Sequence, residues 1–191
     1  MFSFVFVFLL VLCVTGEARG QPLCGRRDVR EVINFDGQVV PVPVGTAPLI
    51  QSYWLEFLHT SYNYIDLINC NNSWNPDTMN MSASPPNVIY TLQDDDLNVR
   101  TPSTSTFTLL SFKLLSHLVT NMSVFVNTTG ANGQLQSSQL IVLPYRKMVT
   151  VTVNQANIRA FSVSCVYKGS TNTCWNTFYD DFDICHPATK K

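Results

Sequence analysis

The stretch Met122-Ser123-Val124-Phe125-Val126-Asn127 decides how this chain is read. Successive side chains of an extended backbone point to opposite faces, so Met122, Val124 and Val126 share one side. Ser123, Phe125 and Asn127 share the other. Val149, Val151 and Val153 repeat the pattern against Thr150, Thr152 and Asn154. A period of two over six residues marks a half-buried strand. Working outward, the same reading predicts strands at Glu31–Phe35, Val39–Val44, Asn87–Leu92, Phe107–Leu115, Gln139–Leu143, Ile158–Ser164 and Phe178–Ile184, with Met122–Val126 and Met148–Val153. Val, Ile, Thr, Phe and Tyr are frequent, and Asn, Gly, Pro and Ser clusters recur at short intervals. That pattern predicts an all-β sandwich.

Three segments depart from plain alternation. In Phe107–Leu115 the pattern slips between Leu109 and Leu110, which predicts a bulge or burial on both faces. Between Ile50 and Tyr64, Leu55, Leu58 and Tyr62 fall at helical spacing, so one short helix is expected near residues 50–64. Asn69 to Pro86, dense in Asn, Pro and Ser, reads as a long loop of the kind that often carries binding. The tail from His186 to Lys191 is short and polar.

The first residues address the compartment. Phe2 to Val14 is an almost unbroken apolar run, too short to span a bilayer as a helix. Small residues at Ala18 and Gly20 predict a signal peptide of residues 1–20, with cleavage after Gly16 as the alternative. Removing residues 1–20 leaves 171 of the 191 residues: an N-terminal segment, 21–30, one β-sandwich domain, 31–185, and the tail. No later apolar run is long enough to span, so a secreted product with no membrane span is expected.

Charge excludes some partners. The chain holds 12 basic and 13 acidic residues, with no basic block for nucleic acid. Charged residues make up only 13%, so Ser, Thr, Asn and attached sugar must keep the surface polar. N-glycan acceptor patterns occur at Asn71, Asn80, Asn121 and Asn127, none with Pro in the middle. Glycans cannot be packed into a core, so these positions belong on solvent-facing loops or strand edges.

Cys24, Cys70, Cys165, Cys174 and Cys185 remain after Cys13 leaves with the signal. An oxidising compartment favours pairing, but five is odd and spacing alone cannot choose the bridges. Cys165 with Cys174, closing the turn at Gly169–Asn172, is the best local pairing. Cys24 then pairs with Cys185 or with Cys70. No Cys-x-x-Cys spacing points to zinc.

Catalytic signatures are missing. There is no nucleophile elbow, no His-Glu-x-x-His, no phosphate-cradling glycine loop and no dinucleotide fingerprint. His59 and His117 each follow an apolar run and read as core or rim histidines, and His186 falls in the tail. Asp94-Asp95-Asp96 could ligate calcium or supply one glycosidase carboxylate. The plainer reading is a hydrated turn, because like charges that close prefer water. An enzyme is therefore not expected, with a hydrolase third among the readings.

The order of short motifs carries a resemblance. Ile33-Asn34-Phe35-Asp36 comes first, followed by the aromatic segment around Tyr53 and Trp54. Then come Ser84-Pro85-Pro86-Asn87-Val88 and Phe107-Thr108-Leu109-Leu110-Ser111-Phe112. The domain ends in Phe178-Tyr179-Asp180-Asp181-Phe182-Asp183-Ile184. Over roughly residues 31–185 this resembles the galactose-binding-like jelly-roll domains of secreted proteins, the architecture of many carbohydrate-binding modules. The resemblance implies an antiparallel jelly-roll sandwich. It also implies a structural calcium with Asp36 and Asp181 at the matching positions, since calcium takes carboxylate and carbonyl oxygens. The plainer reading makes Asp36 a turn cap and Asp181 a solvated strand-end charge. The odd number of cysteines and the long loop depart from the family pattern.

Trp74 and Trp175 lie in polar, turn-like settings and are the candidate ligand-binding residues, as flat faces for a sugar ring. Trp54 reads as core. The expectation is a secreted, non-catalytic binding module whose partner is a glycan or an extracellular protein. The alternative is an extracellular structural or protein-interaction domain without sugar affinity.

Overall fold

The computed structural model describes residues 24–36, 50–51, 55–59, 66–69, 87–91, 95–102, 104–116, 122–166 and 177–188. Among them the chain forms β1 (Asp28–Ile33), β2 (Ile50–Gln51), β3 (Glu56–His59), β4 (Asp66–Asn69) and β5 (Asn87–Thr91). There follow β6 (Leu97–Arg100), β7 (Phe107–Ser116), β8 (Met122–Gly130), β9 (Leu135–Leu143), β10 (Val149–Cys165) and β11 (Thr177–Pro187). No helix occurs among the described residues. The expected strand Val39–Val44 lies outside them, as does the signal segment.

All strand pairs are antiparallel, and the sheet curls over on itself into a jelly-roll sandwich. β10 belongs to both layers. Its first part pairs with β7, from Val149 opposite Leu114 to Ile158 opposite Phe107. Its second part runs between β6 and β8, with Ala160 opposite both Arg100 and Thr129. The first layer is β4–β5–β11–β7–β10, with β1 along the later half of β11. The second is β2–β3–β6–β10–β8–β9.

The change of layer is built from bulges. Register slips between Thr152 and Gln155 and again between Gln155 and Ile158. Asn154 and Asn157 there have φ of 52° and 57°. Asn tolerates the left-handed region better than most residues, and an extra residue sharpens the local twist. The two strands expected at Met148–Val153 and Ile158–Ser164 are therefore one strand bent at its asparagines. β11 bends in the same way at Asp181, whose φ is 45°, between partners Lys113 and Ser111. On β7, Asp183 and Ile184 face Ser111 and Leu109, which leaves Leu110 as an extra residue. Leu109 and Leu110 are both buried, so the slip in the sequence corresponds to a bulge and to burial on both faces.

Five phenylalanines hold the layers together. Phe182 lies 5.1 Å from Phe57, 5.5 Å from Phe112, 6.0 Å from Phe35 and 6.0 Å from Phe161 between ring centroids. Offset and edge-on contacts at these distances are favourable beyond the area they bury.

The described residues of the segment expected to hold a helix, 50–51 and 55–59, are extended instead. Ile50–Gln51 and Glu56–His59 are strands, paired with each other, and β3 also pairs with β6. Leu55 and Phe57 are buried while Glu56 and Leu58 are half-buried, which is a period of two. The 3.6-residue spacing of Leu55, Leu58 and Tyr62 is overridden by the ladder that β6 offers. A second difference lies at the other end. β11 continues through His186, which is buried against Glu31 (Nε2 to Oε2 3.1 Å), so the strand extends into the segment read as tail.

Tyr179 makes one consequence of burial measurable. Its hydroxyl lies 3.3 Å from Thr91 Oγ1, and the ring is almost fully covered. Burial pushes the phenol far above its usual range, and the charge of Asp96 pushes the same way. The unfolded chain ionises this group near pH ~10 while the folded chain keeps its proton. The stability it contributes is present below about pH 10 and is lost as pH rises beyond that. Denaturant titrations between about pH 9 and 11 should show a steeper loss in the wild type than in Tyr179→Phe.

Candidate functional site

The second layer presents an outward face whose residues fall in rows across the strands. One row runs Leu58–Asn98–Ser162–Asn127–Ser138, and the next runs Glu56–Arg100–Ala160–Thr129. The rows arise because antiparallel partners stand side by side and alternate residues of each strand share a face. With about 4.8 Å between strands, the row of four from Glu56 to Thr129 spans about 14 Å, room for a short oligosaccharide.

An open depression of about 390 Å³ lies over these rows, lined on its outward side by Leu58, Asn98, Arg100, Thr129, Ala160 and Ser162. That volume falls at the lower end of ordinary ligand sites. Its chemistry is mixed. Leu58 and Ala160 supply apolar surface, and the amide, hydroxyls and guanidinium supply donors and acceptors. Arg100 donates from Nε to Glu56 Oε2 at 2.7 Å, a contact that holds the stem in place. A guanidinium has five N–H donors, and this bond occupies one of them.

A second depression, about 330 Å³, lies on the outward face of the first layer and is lined by Arg30, Leu110, Ser111, Thr152, Asn154, Asp183 and Cys24. Its strongest groups are committed to each other. Arg30 Nε and Nη2 reach the two Asp183 oxygens at 2.9 and 2.6 Å. The hydrogen bond and then the charge of Asp183 raise the Arg30 guanidinium above its ordinary value. A bidentate pair satisfied in this way offers a ligand less than Arg100 does.

The residues singled out from the sequence are distributed as follows. Cys24 and Cys185 form a disulfide with Cα atoms 5.5 Å apart, one of the two pairings left open for Cys24. Cys165 is also disulfide-bonded. Cys174, Trp74, Trp175, Asn71, Asn80 and Asn121 lie outside the described residues. Asn127 stands on the outward face of β8, beside Ser162 and Ser138. Asp95 and Asp96 are half-buried immediately before β6.

Asp36 and Asp181 have separate partners. Asp36 Oδ1 accepts from the Asn87 backbone N–H at 3.3 Å, and Asn87 Nδ2 donates to Phe35 O at 2.8 Å. These contacts tie the chain leaving β1 to the start of β5. Asp181 Oδ2 lies 2.8 Å from Lys113 Nζ, so an ammonium already sits where a dication would. Among the described residues no three of His, Cys, Asp and Glu come together. As one ligand set, the two aspartates do not fit calcium, which takes about six to eight oxygens. Asp36 alone keeps donors of the right kind, its carboxylate with nearby carbonyls.

Leu58, Asn98, Arg100 and Ser162 were not legible as a site. The strands of Leu58, Asn98 and Arg100 are short, Ser162 lies on a strand expected from its alternation, and no local pattern shows which strands stand side by side. The signal available was weak: polar residues at alternate positions in Leu97–Arg100 and Ile158–Ser164.

No protein-family model matches the chain, and no curated protein matches it. Solved structures do. A DUF4465 family protein from Bacteroides caccae superposes with a TM-score of 0.58 at 10% identity, covering 83% of this chain and 99% of that one. A family 61 carbohydrate-binding module solved with β-1,4-galactotriose gives 0.43 at 10% identity, covering 69% of this chain and 88% of that one. The family 11 carbohydrate-binding module of a Clostridium thermocellum cellulosomal cellulase gives 0.35 at 9% identity, over 85% and 97%. The first of these carries the comparison, and it bears on the fold alone. The jelly-roll sandwich expected from the sequence is the fold observed, and carbohydrate-binding modules stand among its structural neighbours. No helix among the described residues is long and apolar enough to cross a membrane.

Proposed function

We propose that this chain is a secreted, non-catalytic binding module that takes a short glycan across the outward face of β3, β6, β10 and β8. The observation that carries this reading is the open depression in which Asn98, Arg100, Thr129 and Ser162 surround the apolar surface of Leu58 and Ala160. Sugars present hydroxyls around a flat carbon skeleton. They are held by directional donors and acceptors together with apolar contact. The Cys24–Cys185 bridge is in keeping with an oxidising compartment. Trp74 and Trp175 remain the proposed stacking faces. A structural calcium, in this reading, draws on Asp36 and neighbouring carbonyls, with Asp181 left to Lys113.

The test is a broad glycan panel, run with calcium and again with chelator. Arg100→Ala is expected to weaken any selective binding about 10-fold to 100-fold, the range for a lost hydrogen bond from a charged group. Melting temperature is measured in parallel, because Glu56 loses its partner in that variant. Binding indifferent to chelator removes the calcium and keeps the module. No binding across the panel overturns the glycan reading. The alternative, a protein-interaction domain without sugar affinity, then takes its place, and exposed Leu135 on the edge strand β9 is where it would begin.

A further inference from the structure

The outward face of β8 and β9 carries an apolar strip that the proposed function does not use. Phe125 stands directly opposite Leu140, and Val142 is opposite Ser123. Their exposures are 38%, 54% and 59%. Three large apolar side chains in one open strip of a sheet call for a cover. Two residues along from Phe125, on the same face, is Asn127, and two further is Thr129. These are the acceptor asparagine and the hydroxyl of the glycosylation pattern Asn127-Thr128-Thr129.

We infer that Asn127 carries an N-linked glycan whose first sugar packs on the Phe125 ring and covers the strip formed with Leu140 and Val142. The period of two along β8 places ring, acceptor and hydroxyl side by side. The carboxamide is already oriented, because Ser138 Oγ donates to Asn127 Oδ1 at 2.7 Å. Nδ2, the atom that bears the sugar, is left without a bond to any described residue. In the transfer, Nδ2 attacks C1 of an oligosaccharide joined through diphosphate to a polyprenol. The N–C1 bond forms and the C1–O bond to phosphate breaks. The polyprenyl diphosphate leaves, and the amide proton passes to a base of the transferase.

Strand order sets the direction the glycan takes. Phe125 is nearer the start of β8, and Leu140 lies on β9, whereas the binding depression extends over β10, β6 and β3 and reaches β8 only at Thr129. A glycan lying over Phe125 and Leu140 therefore borders the depression and leaves it open. The inference rests on the secreted-glycoprotein part of the proposed function and not on its sugar affinity.

The full chain is expressed in a eukaryotic secretory host, and the occupancy of each acceptor is read by glycopeptide mass spectrometry. Asn127 is expected to be occupied. Melting temperatures of wild type, Asn127→Gln, Phe125→Ala and the double variant then form a cycle. Asn127→Gln should lower Tm by about 2–4 °C when Phe125 is present, the shift for one aromatic contact in a domain of this size. With Ala at position 125 it should change Tm little. Phe125 is partly exposed, so its replacement leaves the fold intact. An empty Asn127 beside a filled Asn71, Asn80 or Asn121 overturns the inference and leaves the secretory reading standing. No sugar at any acceptor overturns both. Equal losses in the two backgrounds overturn the packing on Phe125.

Discussion

Phe182→Ala is expected to lower the free energy of unfolding by about 3–5 kcal/mol, the cost of deleting a fully buried aromatic ring from a close-packed core. Phe182 is fully buried and touches Phe35, Phe57, Phe112 and Phe161. Phe57 and Phe161 belong to strands of the second layer, whereas Phe112 and Phe182 belong to the first. The cavity therefore opens at the seam of the sandwich, where collapse of one layer cannot fill it. For a domain of this length the loss corresponds to a fall in Tm of about 6–20 °C. Denaturant unfolding with an unchanged m-value is the measurement. A loss under about 1 kcal/mol would mean that the seam relaxes and the five rings are not one packed unit.

Breaking the Cys24–Cys185 bridge is the second large effect, expected to cost about 2–5 kcal/mol. The two cysteines are separated by 161 positions in the chain. Cross-linking residues so far apart removes a large share of the conformations open to the unfolded chain, although part of the measured effect is enthalpic in some proteins. The bridge also pins the segment before β1 to β11, the strand that β1 lies along. Cys24→Ser and Cys185→Ser should each lower Tm by a similar amount, and reductant should lower the wild type further than either variant. A variant that melts with the wild type would show that β1 is held by its ladder and its side-chain pairs, Arg30–Asp183 and Glu31–His186, without the bridge.

The parts of the fold that could be read in advance are those with a local cause. Met122, Val124 and Val126 are buried while Phe125 and Asn127 face outward, as the alternation requires. The slip at Leu109 and Leu110 appeared as a bulge because one extra residue must break the period wherever it falls. β3 departs from the expectation because Leu55, Leu58 and Tyr62 fall at helical spacing by coincidence, and only the neighbouring β6 arbitrates. β6 itself was missed. Leu97, Asn98, Val99 and Arg100 are too few to display a period without a partner.

The candidate site was less legible still. Arg100 and Asn98 belong to β6, Ser162 to β10, Thr129 to β8 and Leu58 to β3, segments separated by tens of residues in the chain. Nothing in any one of them announces a shared face. A tryptophan in a polar segment is conspicuous in a sequence, whereas a row of small polar residues drawn from separate strands is not.

By itself, then, the sequence determined which residues alternate, where the chain can bulge, which asparagines can accept sugar and that extended strands would dominate. These are set by side-chain polarity and backbone sterics over a few residues. Tertiary structure alone decided which strands adjoin, that Cys24 meets Cys185, that Asp181 is held by Lys113, and that Asn98, Arg100, Ser162 and Thr129 share one face. Those outcomes depend on register between distant strands, and register follows from the packing of the whole core.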